Sequence, residues 1–488
     1  MKYSLPIIVL FLLLSSCENQ AVKTSSLTSF IPRNASVILK VNKWTDFQNA
    51  LNNNSLITQF EKSNLYKTLS DKSSNFNLFT PQSEVLISFV PLGKNEYDIS
   101  LVTENSNSLF KQDSVLQKQI KREKYNDNTI SSYTKGPNTL YFTTINSAFL
   151  ASTSRLLIEN KIREEKSARG LDPDFEKLYT TAMSSATLNM YIKGSDAKQL
   201  SQNILGSARP KLLAGAFKWA ALDLDIAASS IEINGVVIYD ETTKNRLALL
   251  KNTRRTSSHI ASVVPAEAIG VSSFTYKNPV AYTQNLAKSR QIQPKDFSLN
   301  LGDLYTMADE IGLISMKNGQ ALAIHATYNE LKLSPGNEAE TYRDVVMNTF
   351  IDSLAIQQDF KELLAPPSLP VYCTLNDFLI FAENTDILKT VIANVLNRTT
   401  LEERENFKSI LEKVSNKQSL LFFANSEKLK EKMSNLGSKD LQTDLKNTDL
   451  SSYPYAVAQL IEEDDFLHFN AIIEKNTIKP EAGAVSQI

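Results

Sequence analysis

The sequence predicts an α+β fold: a tandem duplication of an antiparallel-sheet unit with helices, giving two similar halves. Three observations predict it. The stretch Tyr141–Ile162, YFTTINSAFLASTSRLLIENKI, is written a second time at Tyr372–Ile392, YCTLNDFLIFAENTDILKTVI. Further short matches follow in the same order at offsets between 223 and 236 residues. Strands come in neighbouring pairs joined by short polar turns, which favours antiparallel pairing, and helices between them cover a sheet face.

The elements follow in order. The first copy opens with Ile31-Pro32-Arg33-Asn34-Ala35, then a strand over 36–42 in which Val37, Leu39 and Val41 alternate. Thr45-x-x-Gln48 reads as a capping box at the entry to a helix. The second copy opens with Val264-Pro265-Ala266-Glu267-Ala268 and a strand from Ile269. There Asn278 is the cap and Pro279 takes the first helical position. Leu86–Ser88 matches Leu313–Ser315, and Ile99–Thr103 matches Leu322–Ala326.

In the repeated stretch, Asn146-Ser147 and Asn376-Asp377 suit two-residue hairpin turns that need positive φ. Ser154 and Asn384 then stand where a helix cap is wanted. Phe175 and Leu178 match Phe407 and Ile410 on a helix. Leu188, Met190 and Ile192 match Leu420, Phe422 and Ala424 on a strand. The last hairpin aligns without a gap, Asn234 falling on Asn470, 236 residues on. The expected organisation is 1–16 signal peptide, 17–29 tether, 30–250 first repeat, 251–258 linker, 259–476 second repeat and 477–488 disordered tail. In the linker, Lys251, Arg254 and Arg255 read as solvated cations.

The N-terminus carries the most specific signal. Lys2 precedes an apolar run, Leu5–Leu14, broken only by Pro6. A bilayer span needs about 20 residues, so this run is a signal segment. It ends in Leu14-Ser15-Ser16-Cys17, which resembles the lipobox of bacterial lipoproteins. The resemblance implies that Cys17 carries a diacylglycerol, that cleavage precedes it and that the new N-terminus is acylated. Two or three such chains anchor a protein stably. The implied location is the cell envelope, with the outer membrane preferred and the inner left open by Glu18 after the cysteine, facing the periplasm or the surface. The Pro-x-x-Ala openings and the hairpin-helix are also similar to those of an uncharacterised family of extracytoplasmic bacterial proteins. That family often has Asp-Gly or Asn-Gly at the hairpin turn, where this chain has Asn-Ser and Asn-Asp. The likeness implies a fold and a location and brings no catalytic residue with it.

The candidate chemistry is thin. Lys plus Arg number 52 against 53 Asp plus Glu, so the basic excess that drives nucleic-acid binding is missing. Glycines number 14 in 488 residues, too few to expect Gly-lined phosphate cradles. The common nucleotide, zinc-protease and nucleophile-elbow motifs are absent, and Gly270-Val271-Ser272-Ser273-Phe274 reads as strand. His259, His325 and His468 stand alone in sequence, so no metal and no cofactor is expected.

Cys373 sits where the first copy has Phe142 and reads as a small buried hydrophobe. Asp223 and Asp225 lie on one face of an alternating strand. They are the weak catalytic candidates, an acid-base pair or else the wet face of a half-exposed sheet. Gln459 and Ile461 hold the equivalent places in the second copy. Glu462–Asp465 fills a turn that charge repulsion keeps in water. Asp113-Ser114-Val115 and Asp352-Ser353-Leu354 resemble short acceptor motifs for O-linked glycans.

The reading is a non-catalytic envelope lipoprotein, a binding or scaffold component held to the membrane by its lipid, with a protein or glycan partner. One alternative is a small-ligand or glycan-binding module with a pocket between the repeats. The other is an enzyme whose site is dispersed in sequence.

Overall fold

Among the described residues the first part of the chain forms ten strands: β1 (Val37–Val41), β2 (Val85–Gly93), β3 (Glu96–Glu104), β4 (Lys121–Tyr125), β5 (Asn128–Lys135), β6 (Asn138–Ile145), β7 (Ala148–Ser152), β8 (Leu188–Lys193), β9 (Phe217–Ile226) and β10 (Ser230–Tyr239). After the short β11 (Thr256–Ser257) come β12 (Gly270–Thr275), β13 (Glu310–Met316), β14 (Gly319–His325), β15 (Glu338–Tyr342), β16 (Val345–Thr349), β17 (Val371–Leu375) and β18 (Phe378–Ala382). The chain closes with β19 (Lys417–Gln418), β20 (Leu420–Asn425), β21 (Tyr455–Glu462) and β22 (Phe466–Glu474). This is a computed structural model, and it describes residues 26–93, 96–110, 119–164, 171–197, 217–240, 245–326, 333, 337–435 and 439–476. The signal segment, Cys17, most of the tether, Asp113-Ser114-Val115 and the tail 477–488 lie outside the described residues.

The fold is α+β around a large antiparallel sheet of 20 strands. The first run pairs in the order β4-β5-β6-β7-β3-β2-β1-β8-β9-β10. The second pairs in the order β15-β16-β17-β18-β14-β13-β12-β20-β21-β22. The runs meet where β10 pairs with β22 over nine residue pairs, Ser230↔Glu474 through Ile238↔Phe466. The β6–β7 and β17–β18 hairpins turn on Asn146 and Asn376, at φ 53° and 51°. Asparagine tolerates this left-handed conformation better than other side chains. At one outer edge β4 exposes Lys121, Arg122, Glu123 and Lys124, charges that discourage a further strand from adding.

Helices cover both faces of the sheet, where the alternation led us to expect one. On the first face Ile38, Leu86 and Tyr191 pack with Ile158 and Ile162 of the helix Arg155–Glu164 and with Phe175 of Pro173–Thr181. In the second run Val271, Ile314 and Val457 do the same with Leu388 and Ile392 of Thr385–Leu396 and with Phe407 of Glu405–Leu411. The opposite face is closed by Phe76 and Phe79 in the first run. In the second it is closed by Tyr282 and Phe360, from the helices Pro279–Ser289 and Ser353–Phe360. With a cluster on each face, central strands such as β7 (Ala148–Ser152) and β18 (Phe378–Ala382) are buried at every residue.

Four local expectations change. The expected tether ends early, because Ser26–Phe30 forms a 3₁₀ turn and Leu27 is buried in the core. The expected solvated linker is pinned. Thr253 is fully buried, β11 pairs with β19, and Arg255 donates to the Glu462 carbonyl at 2.8 Å and to the Glu463 carboxylate. The acidic turn at 462–465 is correspondingly a docking point, since buried Glu462 accepts from the Asn252 N–H at 2.7 Å. Thr45 is no cap: the helix Trp44–Asn53 begins after Lys43, whose side chain makes no capping bond. Asn278 and Asn384 do cap, accepting from the N–H of Ala281 and of Ile387.

Candidate functional site

The seam between β10 and β22 carries a polar row across the sheet. Reading across paired strands, it runs Lys40, Asn189, Asp223, Asn234, Asn470 and Gln459. In an antiparallel sheet directly opposed residues share a face, so all six side chains project to one side. Flanking rows on that side include Ala221 and Val236 of the first cluster and Val457 and Ile472 of the second. Asn234 is exposed, Asp223 and Asn470 are half-buried, and Asn189 and Gln459 are buried.

Both oxygens of Asp223 accept hydrogen bonds. One carboxylate oxygen takes the Asn189 side-chain amide at 2.6 Å and the other takes the Met183 N–H at 3.3 Å. Asn189 also donates to the Met183 carbonyl at 2.9 Å. The three groups fasten the chain leaving the helix Pro173–Thr181 to the sheet. Across the seam Gln459 fastens Ser415, after the helix Glu405–Leu411, by accepting from its N–H at 3.0 Å and donating to its carbonyl at 2.7 Å. An amide and a carboxylate thus do the same work. Burial pushes the Asp223 carboxyl above its usual range, against the lowering effect of the Asn189 and Met183 bonds. Asp225 is exposed, and on β10 it faces Glu232. The two aspartates share a strand face, yet Asp223 is committed to a loop.

Cys373 is fully buried, and burial pushes its thiol up to about 12. A thiol in that state is inert. Asp352 immediately precedes the helix Ser353–Phe360, and His468 is exposed with its ring 5.0 Å from Phe466.

The histidines at 259 and 325 do not stand alone. Their rings stack with centroids 4.4 Å apart, and Phe378 lies 4.8 Å away on His325. The His325 Nδ1 lies 2.6 Å from an Asp309 carboxylate oxygen. One ligand atom from each of His259, Asp309 and His325 lies within 4.8 Å of the others. Behind them the Glu310 carboxylate is fully buried and accepts from the Ser258 hydroxyl at 2.5 Å, the His259 N–H at 2.5 Å and the Ser273 hydroxyl. Burial alone would lower the His325 pKa, but the bond to Asp309 and the charges of Asp309, Glu310 and Asp377 outweigh it and raise it. Sequence spacing hides this cluster, because Asp309 and His325 meet only through the β13–β14 hairpin, where Glu310 opposes His325. The one local sign is position: Asp309 immediately precedes β13 and His325 ends β14, where a charged or polar side chain can reach the sheet's end.

A groove of about 660 Å³ lies beside β14, lined by Glu267, Met316, Lys317, Lys428 and Lys432 among others. Lys428 is held there by Glu267.

Comparison with known proteins gives little. No known protein family matches the chain, and no curated protein does. Among solved structures it is similar in part to the protein TP0453. Crystal form I of that protein aligns at 14% identity and TM-score 0.28, over 45% of this chain and 81% of the other. Crystal form III aligns at 10% identity and TM-score 0.27, over 48% and 90%. A likeness this partial says nothing of function.

Proposed function

We propose that this protein is a lipid-anchored, non-catalytic component of a bacterial cell envelope, two copies of one α+β unit joined edge to edge into a binding or scaffold platform. Cys17 is the attachment point, and the partner is a protein or a glycan. The lipobox and the apolar run before it support the anchoring. The matched strand orders of the two runs, and their self-complementary seam, support the duplication.

One observation carries the non-catalytic reading: Asp223 and Gln459 fasten equivalent loops through equivalent bonds. A position that serves equally well as carboxylate or amide is part of the framework, and the best acid pair in the sequence is spent there. The exposed Asn234 beside half-buried Asn470 supports a second reading, a small-ligand or glycan surface at the seam. Amide side chains offer donors and acceptors together, as sugar hydroxyls require.

Fractionation of cells producing Cys17→Ser tests the anchor. The variant should leave the detergent-extracted membrane fraction as a soluble or uncleaved protein. A cleaved, membrane-bound Cys17→Ser protein would overturn the anchoring. Crosslinking on intact cells, with seam variants such as Asn234→Ala as comparison, tests the platform. Loss of a specific crosslink in the variant favours the seam.

A further inference from the structure

We propose that His259, Asp309 and His325 form a binding site for one borderline divalent metal ion of the zinc class. Two imidazoles and a carboxylate are the ligand set such ions favour over magnesium or calcium, which prefer all-oxygen shells. The three side chains come from three different segments: the stretch after β11, the residue before β13, and the end of β14. Their candidate ligand atoms already lie within 4.8 Å of one another. Ligands about 2.1 Å from a tetrahedral ion sit roughly 3.4 Å apart, so the site has to close by about an ångström.

His259 supplies that movement. It is exposed, while His325 is buried and fixed between His259 and Phe378. The surroundings are built to hold the set. Glu310, fully buried, grips the Ser258 hydroxyl and the His259 N–H, which fixes the backbone that carries His259. Asp309 itself is tied to the end of β14, its N–H donating to the His325 carbonyl at 3.1 Å. A buried acceptor that pins the backbone of a ligand residue helps to hold that ligand in place. The half-exposed Asp309 and exposed His259 leave the outer side open to solvent, as a site with an exchangeable water needs.

The first run provides an internal control. Glu104 stands opposite Ala148 there, as His325 stands opposite Phe378 in the second run. Ser83 precedes Glu84 as Asp309 precedes Glu310. That place has no histidine, so one ion per chain is expected rather than two. The inference rests on no part of the lipid-anchoring reading.

The test uses the full chain, purified in detergent, stripped with a chelator and titrated with Zn²⁺ by calorimetry and with Co²⁺ by visible absorbance. Wild type should bind one ion per chain and develop the d–d bands of a nitrogen- and oxygen-ligated cobalt. His259→Ala, which alters an exposed side chain, should weaken binding by roughly 100-fold or more with an unchanged circular dichroism spectrum. His325→Gln should do the same if it folds. Absence of saturable binding by wild type would overturn the proposal. So would an ion held equally tightly by His259→Ala, which would be adventitious.

Discussion

Asn234 of β10 lies directly opposite Asn470 of β22, and the pairs on either side of it are mirror-related. Ile231 opposes Ile473 while Val237 opposes Leu467. In the sequence Ile231 matches Leu467 and Val237 matches Ile473, each 236 residues on. Each strand therefore presents to the other the same positions that it receives, which is the self-complementarity of a twofold interface. Two open sheet edges are closed by one another, and the exposed hydrogen-bonding groups that an edge strand leaves are satisfied within the chain.

The β9–β10 pairing makes Gly235 sensitive. A Cβ there would lie 2.1 Å from the Ala221 carbonyl oxygen and 2.9 Å from the Leu222 backbone. Backbone cannot yield as a flexible side chain can, so Gly235→Ala should force β9 and β10 apart. The expected loss is on the order of 1–3 kcal/mol, read as a lowered midpoint in chemical denaturation. The matching residue in β22 is Ala471, which already carries a Cβ, so Ala471→Gly should have a much smaller effect. Equal effects at the two positions would contradict the packing described.

Asp223→Asn tests whether the carboxylate is needed as a charge. Its pKa is raised by burial, so the folded state holds this proton more tightly than the unfolded chain does. Its contribution to stability is then full below the unfolded value of about 3.9 and is lost as pH rises through the folded value. The difference in stability, wild type minus Asp223→Asn, should fall as pH rises across that window and stay level above it. Denaturant midpoints for both proteins between acid and neutral pH measure it. A wild type that gains on the variant as pH rises would mean that the charged form is the one the fold requires.

Gln459→Ala should be the more damaging change. It removes both partners of Ser415, an N–H at 3.0 Å and a carbonyl at 2.7 Å, in a place that water does not reach freely. Gln459 is buried and Ser415 half-buried, so the loss should be about 1 kcal/mol per bond. Gln459→Glu keeps the acceptor for the Ser415 N–H, as Asp223 does for Met183, and should recover part of the loss. Denaturation midpoints of the two variants check this.

Much of the fold was legible where chemistry marks position. Asn146 and Asn376 announce their turns, and Asn278 and Asn384 their helices, because those conformations select asparagine. Strand registers were less legible. The textual match of Leu86 with Leu313 implies an offset of 227. Pairing against β1 and β12 instead sets Ile87 opposite Leu39 and Leu313 opposite Ser272. Since β1 and β12 are themselves 233 apart at Pro32 and Pro265, the strand offset is 226. A slip of one residue exchanges the faces of a strand, and with both faces buried no polar residue flags the error. For the same reason Cys373 corresponds to Thr143 and not to Phe142: Cys373 opposes Ile380 as Thr143 opposes Leu150. The linker cations misled because Arg255 finds its acids 207 and 208 residues away. The histidine cluster was hidden for a like reason, Asp309 and His325 meeting across the β13–β14 hairpin and His259 reaching them from the stretch after β11.

The two cysteines permit a last prediction that tests anchoring and packing in one measurement. Cys373 is buried in a core cluster with Ile380 and Leu388, and burial pushes its thiol up to about 12, so a reagent that needs thiolate has almost none to attack. Cys17, if it carries a thioether-linked lipid, has no thiol. Protein purified from membranes should therefore label at no thiol while native and at one thiol after full denaturation. Cys373→Ala should abolish that remaining signal, at a modest cost in stability because alanine nearly fills the same volume. Two thiols in the denatured protein would mean that Cys17 is unmodified and would remove the lipid from the proposal. One thiol that reacts at once in the native protein, and persists in Cys17→Ser, would mean that β17 opens far more readily than its position inside the sheet allows.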